Sequence, residues 1–510
     1  MTTPRTNSPD PLAAFERGEL RPLEGAPAAE WLEQHGLLPL RVDGAMLEVG
    51  TWHAQPSPYA LDDLRVRFDR AVRLVPMPEA EVRGAIRRLY APAAGTAEGL
   101  IAGLAAESPL TGSAEMPLDD LVHLANEAPV VRLVNLLILE ALDARASDVH
   151  LEGFADGMQV RYRIDGVLQP APAPPRHLTA AIVSRLKIMA DLDIAERRLP
   201  QDGRIRLRLQ QREVDVRVAT APTLHGESVV LRLLDRERGR RSLADMGMGD
   251  TVRARFGEVI TRTHGIVLVT GPTGSGKTTT LYAAIDAVRT GREKILTVED
   301  PVEYELPGVP QVPVNEKVGV TFASALRALL RQDPDILLVG EIRDAETAQV
   351  ATQAALTGHL VLSTLHTNDA PSAVTRLLDL GVPPYLVAST LEAVLAQRLV
   401  RVLCPRCRRP GAPTPVQHAR LGALAPPLDT VWEAVGCAEC RHTGYRGRQG
   451  VFELLVMSEG VRELTLQRAG VDRLRAVAVH DGLQPLREDG LRLVRAGVTS
   501  LDELLRITPT

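Results

Sequence analysis

The chain has 510 residues, 45% hydrophobic and 24% charged, and carries a net charge of −5. At about 150 residues per domain, this length predicts three or four domains with ample core. Phe, Trp and Tyr make up only 3% of the residues, which disfavours proteins that work through base stacking or carbohydrate platforms. Because the net charge is close to neutral, the overall charge does not indicate nucleic acid binding. Cysteine and lysine are both scarce, with four residues each, although Lys and Arg together number 59.

No segment of the sequence is apolar enough for a membrane span. The longest apolar stretches, such as residues 133–139, fall far short of the roughly 18 residues that a helix needs to cross a bilayer. The N-terminal residues 1–11 are polar and contain proline, unlike the apolar core of a secretion signal. We therefore expect a cytoplasmic protein whose thiols stay reduced.

Composition divides the chain into segments. Residues 1–25 are rich in Pro, Gly, Thr and Ser and are expected to be loose. Residues 26–95 are predicted to form a small α/β domain for docking, followed by an Ala-, Gly-, Pro- and Ser-rich linker at 96–119. Residues 120–241 are predicted to form a second small α/β domain. The remaining residues, 242–510, are predicted to form the largest domain.

Hydrophobic periodicity predicts the elements of the two smaller domains. The first is predicted to contain two strands and a helix, at residues 37–40, 45–49 and 79–90. The second is predicted to contain a helix and three strands, at residues 130–142, 158–164, 205–209 and 213–218. Turns between strands are predicted at Asp165-Gly166 and Asp202-Gly203.

From residue 265 the pattern changes to short buried strands separated by helices. Strands are predicted at residues 265–270, 294–299, 335–339 and 360–365. Helices are predicted at residues 278–288, 322–332, 345–356 and 372–380. This alternation indicates an α/β fold with a parallel sheet covered on both faces.

A phosphate-binding loop follows the first of these strands. Residues 271–278, Gly-Pro-Thr-Gly-Ser-Gly-Lys-Thr, match G-x-x-x-x-G-K-[ST] in full, between an apolar strand and a helix. Backbone N–H groups of such a loop bind phosphate oxygens, Lys277 reaches the β- and γ-phosphates, and Thr278 is placed for Mg²⁺. We expect ATP and Mg²⁺ to be bound by Gly271, Pro272, Thr273, Gly274, Ser275, Gly276, Lys277, Thr278 and Thr279.

Acidic residues and histidines lie at the ends of the neighbouring strands. Glu341 follows the third strand, at the carboxyl edge where such sheets bind nucleotides, and could hold Mg²⁺ through water. The second strand ends in Glu299, and Glu303 follows it, so that one of these acids could orient the attacking water. His359 and His366 flank the fourth strand, where a histidine could sense the γ-phosphate.

Together these motifs resemble the secretion ATPase superfamily that drives type II secretion and type IV pili. The order is the same: the phosphate-binding loop, the acidic box at 299–303, Gly-Glu-Ile-Arg-Asp at 340–344 and the histidine box at 358–368. The resemblance extends from about Pro129 to the C-terminus. It implies a RecA-like motor domain, an N-terminal domain that swings over the nucleotide, and a homohexamer that hydrolyses ATP.

The resemblance also implies roles for individual residues. Glu303 would be the catalytic base, with Glu299 alongside it. Glu341 would lie near Mg²⁺, and His366, in the histidine box, would be a further catalytic residue. Arginines of the second domain reach phosphates in this family, within or across subunits. The candidates here are Arg204, Arg217 and Arg232. A guanidinium has the fixed charge and forked donors to stabilise a developing phosphate charge.

All four cysteines occur as two C-x-x-C pairs, Cys404 with Cys407 and Cys437 with Cys440. Two such pairs in a cytoplasmic chain predict a closed, structural Zn²⁺ site, within a subdomain at 401–443. A redox pair is the alternative, although no thioredoxin-like βαβ pattern surrounds either pair. The family resemblance supports zinc, because type II secretion and pilus assembly ATPases carry such a tetracysteine insert.

Length and the single small N-terminal domain resemble the type II secretion ATPases, with a type IV pilus assembly ATPase as the alternative. The resemblance implies two partners at the inner membrane: the cytoplasmic domain of a GspL-type protein, bound by the N-terminal domain, and a GspF-type platform protein. The chain would then associate peripherally with the inner membrane. No nucleic acid partner is expected.

Two other classes of protein remain open. A nucleic-acid motor of the RecA-like class is disfavoured by the low aromatic content and the acidic balance. A nucleotide-gated docking scaffold without turnover is disfavoured by the intact acidic boxes.

Overall fold

The computed structural model of the protein describes residues 23, 26–27, 29–89, 97, 100–101, 104, 118–209, 212–235, 241–421 and 428–508. The chain divides into two compact units, residues 1–209 with 216–233 and residues 210–215 with 234–510. The predicted loose N-terminus and the predicted linker lie almost wholly outside the described residues. None of the helices in the described part of the chain combines the length and apolarity of a bilayer-spanning segment.

The first elements form a small domain around a three-stranded sheet. They are α1 Ala29–His35, β1 Leu37–Asp43, β2 Met46–Thr51, α2 Pro58–Phe68, β3 Ala71–Pro76 and α3 Glu79–Leu89. Strands β1 and β2 are antiparallel, whereas β2 and β3 are parallel, and α2 supplies the crossover that a parallel pair requires. Leu32, Leu37 and Leu38 are fully buried in its core. The two predicted strands and the predicted helix are confirmed.

The next elements form a six-stranded sheet with helices. They are α4 Leu118–Ala125, α5 Ala128–Asp143, β4 Ala146–Phe154, β5 Gly157–Ile164, β6 Val167–Ala171, α6 Thr179–Met189, β7 Gln201–Leu209, β8 Arg212–Thr223 and β9 Gly226–Asp235. The strand order is β6-β5-β4-β9-β8-β7. The Tyr162 hydroxyl of β5 donates to the Leu137 carbonyl of α5 at 3.1 Å, joining helix to sheet.

One of the two turns predicted in this domain is wrong. Asp165 and Gly166 do form the turn between β5 and β6, with positive φ angles of 50° and 84°. Asp202 and Gly203, however, lie inside β7. A β-carbon at Gly203 would lie only 2.5 Å from the Ala190 carbonyl oxygen. Gly203 therefore allows two backbone segments to approach each other closely, and it does not form a turn.

A seven-stranded sheet forms the centre of the second unit. Its first elements are α7 Asp250–Ile260, β10 Gly265–Thr270, α8 Lys277–Val288, β11 Ile295–Glu299, β12 Gln311–Pro313, α9 Phe322–Leu329, β13 Ile336–Val339, α10 Ala345–Leu356, β14 Leu360–Leu365, α11 Ala370–Asp379, α12 Pro384–Thr390 and β15 Leu391–Leu403. The predicted strands and helices are confirmed to within two residues, except that the helix predicted to reach residue 332 becomes 3₁₀ after Leu329.

The remaining elements complete the sheet and cover it. They are β16 Arg409–Gly411, α13 Pro415–Leu421, β17 Val431–Glu433, β18 Tyr445–Val456, α14 Glu459–Leu466, α15 Val471–His480, α16 Leu486–Arg495 and α17 Leu501–Ile507. The strand order is β12-β11-β13-β14-β10-β15-β18, with β18 antiparallel to β15 and the other adjacent pairs parallel.

Alternating side chains of these strands pack into two separate hydrophobic clusters. Leu268 of β10 and Val361 of β14 lie in one cluster, and Val267 and Leu362, their chain neighbours, lie in the other. Successive residues of a strand point to opposite faces, so both faces of this sheet are buried. The predicted parallel sheet covered on both faces is confirmed.

Candidate functional site: a nucleotide edge and a four-cysteine cluster

Four neighbouring parallel strands end at one edge of the seven-stranded sheet. Strands β11, β13, β14 and β10 are adjacent in that order, and their registers align their carboxyl ends. Glu299 ends β11, Glu341 follows β13, His366 follows β14, and the phosphate-binding loop follows β10. The fold thus places the predicted nucleotide motifs side by side.

The phosphate-binding loop has the backbone that its motif requires. Gly271, Gly274 and Gly276 have φ angles of 147°, 78° and 88°, which side-chain-bearing residues rarely adopt. Helix α8 begins at Lys277, directly after the last glycine, so the unpaired N–H groups of its first turn are available to an anion. Pro272, Thr273 and Gly274 are exposed, Ser275 is buried, and Thr278 and Thr279 are half-buried on the first turn.

Lys277 lies across the loop. Its Nζ donates to the carbonyl oxygens of Gly271 at 2.8 Å and Pro272 at 3.3 Å. Burial lowers the pKa of this ammonium, and the negative charge of Glu341 opposes that effect. The lysine therefore feels the charge of Glu341, which follows β13, two strands away from β10 in the sheet.

Glu341 is held by an arginine and a histidine. Its Oε1 accepts from Arg343 Nη2 at 2.7 Å, and its Oε2 lies 3.1 Å from His366 Nε2. Burial acts to raise the pKa of Glu341, but the hydrogen bonds and charges of Arg343 and His366 outweigh it and lower the pKa. The carboxylate is therefore ionised at neutral pH, as a group that holds Mg²⁺ must be.

Glu299 is buried, and its carboxylate is engaged by three neighbours. Thr297 Oγ1 and Gln311 Nε2 donate to Oε1 at 2.6 Å and 3.0 Å, and the Tyr282 hydroxyl donates to Oε2. Burial, followed by the charge of Glu299, raises the pKa of the Tyr282 phenol, which keeps it a donor. These bonds join α8 to β11 and fix the strand end beside the loop.

The other acids of the box follow Glu299 in a loop. Glu303 is half-buried there, and its backbone hydrogen-bonds the Tyr282 phenol. Asp300 Oδ2 accepts from Arg343 Nη2 at 3.1 Å. Arg343 thereby bridges the acidic box and Glu341, a role that the sequence argument did not assign to it although it lies in the quoted 340–344 motif.

The two histidines of the histidine box lie at opposite ends of β14. His366 follows the carboxyl end, beside Glu341. His359 precedes the strand, and its Nδ1 lies 2.9 Å from the Ala354 carbonyl oxygen at the end of α10. His359 therefore stabilises a helix end, and only His366 belongs to the nucleotide edge.

The three candidate arginines lie in the first unit, on strands of the six-stranded sheet. Arg204 is exposed on β7, and Arg217 is half-buried on β8. Arg232 of β9 donates from Nε to Asp148 Oδ1 at 3.1 Å. The nucleotide edge belongs to the second unit. The three arginines are therefore not part of the unit that carries this edge.

The four cysteines converge on one point. Their sulfur atoms all lie within 4.8 Å of one another, and the Sγ–Sγ distances are 3.9 Å for Cys404–Cys437, 3.8 Å for Cys407–Cys440 and 3.7 Å for Cys437–Cys440. A tetrahedron of Zn–S bonds of about 2.3 Å has S···S edges of about 3.8 Å. The geometry therefore fits a four-thiolate zinc site.

Backbone amides around the cluster favour thiolates. The N–H groups of Cys437 and Gly444 donate to Cys440 Sγ at 3.1 Å and 3.2 Å, and that of Gly436 donates to Cys407 Sγ at 3.3 Å. Burial raises the pKa of the Cys404 and Cys407 thiols. Burial acts on Cys440 in the same direction, but the backbone donors of Cys437 and Gly444, with the neighbouring thiols, lower its pKa to about 7. Metal ligands need deprotonated sulfur, so Cys440 is the sulfur that the backbone best prepares for an ion.

Comparisons with known proteins identify the family of the chain. Residues 123–506 match the family model described as "Type II/IV secretion system protein", and residues 20–96 match the MshEN domain. The chain is 54% identical over 389 residues to the type II secretion system protein HxcR of Pseudomonas aeruginosa, covering 76% of this chain and 79% of that one. It is 44% identical over 482 residues to the type IV pilus assembly ATPase PilB of Myxococcus xanthus, covering 93% and 85%.

A solved structure shows the same architecture. The pilus retraction motor PilT with bound ADP aligns at a TM-score of 0.50 and 26% identity, over 74% of this chain and 97% of that chain. Fold and site together define a P-loop ATPase of the class that powers secretion systems and pili. The chain belongs to the Type II/IV secretion system protein family. The predicted membership is confirmed, and type II secretion is better supported than pilus assembly, because type II relatives reach the higher identity.

Proposed function

We propose that this protein hydrolyses ATP to ADP and phosphate and uses the energy for type II protein secretion. One observation carries the proposal: the Glu341–His366 contact of 3.1 Å, at the strand ends beside the phosphate-binding loop. A carboxylate and an imidazole that meet at two adjacent strand ends support the binding of a γ-phosphate and its Mg²⁺ at this edge. The similarity to a motor solved with ADP supports a nucleoside phosphate as the ligand.

The residues of the edge divide the chemistry among them. Loop N–H groups and Lys277 bind the β- and γ-phosphates, and the Thr278 hydroxyl with Glu341 holds Mg²⁺, which neutralises phosphate charge when bound. Glu303 accepts a proton from the attacking water. Glu299 positions the strand end, because its oxygens already accept from Thr297, Gln311 and Tyr282. His366 contacts the γ-phosphate region and orients Glu341.

Three arginines of the N-terminal unit complete the proposal. Arg204, Arg217 and Arg232 supply positive charge to the phosphates, within one subunit or between subunits of a homohexamer. A guanidinium that arrives only on domain closure stabilises developing charge at the moment of transfer. The Arg232–Asp148 pair would have to open or turn for Arg232 to take part.

The protein would work at the cytoplasmic face of the inner membrane. Its N-terminal domain would bind the cytoplasmic domain of a GspL-type protein, and the motor would act on a GspF-type platform protein to drive pseudopilus assembly. Type IV pilus assembly is the second candidate, because PilB is 44% identical over 93% of this chain. Restoration of secretion, but not of piliation, in strains that lack each motor would support the first.

The four-cysteine cluster would hold one Zn²⁺ through Cys404, Cys407, Cys437 and Cys440. Its four thiolates leave no open coordination position, so the ion is structural. The spacer between the pairs carries α13 and the two-stranded sheet of β16 and β17, which the ion would anchor to the end of β15.

Phosphate release by the purified chain tests the proposal. Lys277→Ala should abolish hydrolysis, because the variant lacks the cation that meets the phosphates. Lys317→Ala is the matched control, since Lys317 is exposed on a short 3₁₀ helix away from the loop. Full activity of Lys277→Ala would contradict the proposal, and turnover that requires added DNA would favour a nucleic-acid motor.

A further inference from the structure

Strand β15 lies next to β10, and one residue of β15 meets both ends of the phosphate-binding loop, with its backbone at one end and its side chain at the other. Thr270, the last residue of β10, pairs with Ala396 of β15, so Gln397 is level with Gly271. Gln397 is fully buried. No sequence motif marks this glutamine, and the chemistry proposed above assigns nothing to it.

Contacts with the two glycines show how closely Gln397 approaches the loop. A β-carbon at Gly271 would collide with the Gln397 carbonyl oxygen, and one at Gly276 would lie 2.9 Å from Gln397 Nε2. These glycines are the first and the last of the loop. Both must lack a side chain for the loop to rest on this residue.

The amide of Gln397 also bonds the helix that follows the loop. Thr280 Oγ1, in the first turn of α8, donates to Gln397 Oε1 at 2.6 Å. The same hydroxyl lies 3.3 Å from the Gly276 carbonyl oxygen. Gln397 therefore fixes the first turn of α8, whose N–H groups are the predicted phosphate ligands, relative to the sheet.

Two buried polar atoms at the loop have no hydrogen-bond partner among the residues that the structure describes. They are Gln397 Nε2 and Ser275 Oγ, and Ser275 is only 4% exposed. A buried donor without a partner is destabilising, and such groups are rare in folded proteins. The Lys277 ammonium donates hydrogen bonds to the Gly271 and Pro272 carbonyl oxygens of the loop. Those carbonyls lose their donor when the ammonium turns to a phosphate.

We propose that Gln397 is a positioning residue for nucleotide binding, which holds the two ends of the phosphate-binding loop and the first turn of α8 in place for the phosphates. The N–H groups of its amide can donate to the loop carbonyl oxygens once Lys277 no longer donates to them. The inference rests on the proposed binding of ATP. It adds that the uncharged amide is required, because a charge at this place would act directly on the phosphates.

Two substitutions separate this role from a merely structural one. Gln397→Met keeps the length of the side chain and removes its hydrogen bonds. We expect the KM for ATP to rise about tenfold with a small change in melting temperature. Gln397→Glu keeps the acceptor for Thr280 but places a negative charge under the loop. We expect this variant to weaken the binding of a non-hydrolysable ATP analogue more than the binding of ADP, because the analogue carries more negative charge.

Affinities for the analogue and for ADP, measured by calorimetry alongside phosphate release, provide the readout. Thr465→Val is the matched control, because it removes a buried 2.7 Å hydrogen bond to the Val461 carbonyl within α14, in a helix remote from the loop. It should lower the melting temperature and leave both affinities unchanged. Wild-type affinities and KM in both folded Gln397 variants would overturn the inference. Absence of nucleotide binding by the wild-type chain would instead overturn the proposed function.

Discussion

His366 Nε2 lies 3.1 Å from Glu341 Oε2, while Arg343 Nη2 lies 2.7 Å from the other oxygen of the same carboxylate. Two residues, Arg343 after β13 and His366 after β14, therefore hold the carboxylate of Glu341. Because both partners lower the pKa of Glu341, its charge persists below the pH at which an ordinary glutamate is protonated.

Glu341→Gln should reduce phosphate release at least 100-fold, an order of magnitude typical for loss of a group that stabilises transition-state charge. The amide has the same shape but lacks the charge that, in the proposed function, would hold Mg²⁺. Glu346→Gln is the control, since Glu346 is exposed on α10 and forms an ion pair with Arg327. Comparable activity of the two variants would remove Glu341 from the site.

Loss of any one cysteine should release the metal. Cys407→Ser is expected to lower bound zinc from about one ion per chain to near zero, because a hydroxyl replaces one of four thiolates. Elemental analysis of protein purified without chelator measures this. Glu439→Gln, next to Cys440 but bonded to Arg406 and Arg446, should retain the ion. Zinc-free wild-type protein would refute the site.

The Cys407→Ser variant should also keep its nucleotide affinity within a few-fold. The cluster lies beyond the end of β15, whereas the loop follows β10. We expect faster proteolysis within residues 408–436 and unchanged binding of ADP. Loss of ADP binding in this variant would show that the cluster supports the nucleotide edge directly.

A buried ion pair gives Lys187, one of the four lysines, a structural role. Lys187 is 1% exposed; its Nζ lies 2.5 Å from Glu227 Oε1 and donates to the Glu196 carbonyl oxygen at 2.7 Å. Lys187→Met leaves the Glu227 charge buried, which we expect to destabilise the domain by about 3 kcal/mol. Lys187→Met combined with Glu227→Gln should recover at least half of that loss.

Hydrogen exchange localises the effect of Lys187. The amides of residues 191–201 should exchange faster in Lys187→Met, because the lysine anchors this segment through Glu196. Lys294→Met is the control, since the Lys294 side chain is exposed. Unchanged exchange in that segment, together with equal urea midpoints of the two variants, would contradict the assigned role.

Glu503 predicts an acid-sensitive contribution to stability. Burial acts to raise its pKa, but Arg506 and Arg401 lower it to about 2. A depressed pKa stabilises the fold above the ordinary glutamate pKa of about 4.3, and the contribution is lost as the pH falls towards 2. At pH 7, Glu503→Gln should cost on the order of 2 kcal/mol, with allowance for the solvent around Arg506.

Urea unfolding at several pH values tests this contribution. The difference between wild type and Glu503→Gln should be constant from pH 7 to 5.5 and should shrink towards pH 3.5. Glu488→Gln, at an exposed position of α16, should differ little from wild type throughout. A difference that grew as the pH fell would reverse the assigned sign.

Much of the nucleotide edge could be predicted because its motifs are local. The glycines of residues 271–276 determine the loop backbone, and Lys277 and Thr278 follow in the first helical turn wherever the chain lies. The metal site could be predicted for the same reason, since the spacing of each C-x-x-C pair lets one turn of the backbone present two sulfur atoms. The strands were predictable from their apolar runs.

Only the tertiary structure decided what each side chain contacts. His359 and His366 look alike in sequence, yet they lie at opposite ends of β14. Glu299 and Glu303 share one acidic box, but Glu299 is bonded to Tyr282 and Gln311, which no motif marks. Gln397 meets the loop from a strand more than a hundred residues away. Backbone conformation depends on neighbours in the chain, whereas burial and hydrogen bonding depend on which strands become adjacent, and that is settled only when the sheet forms.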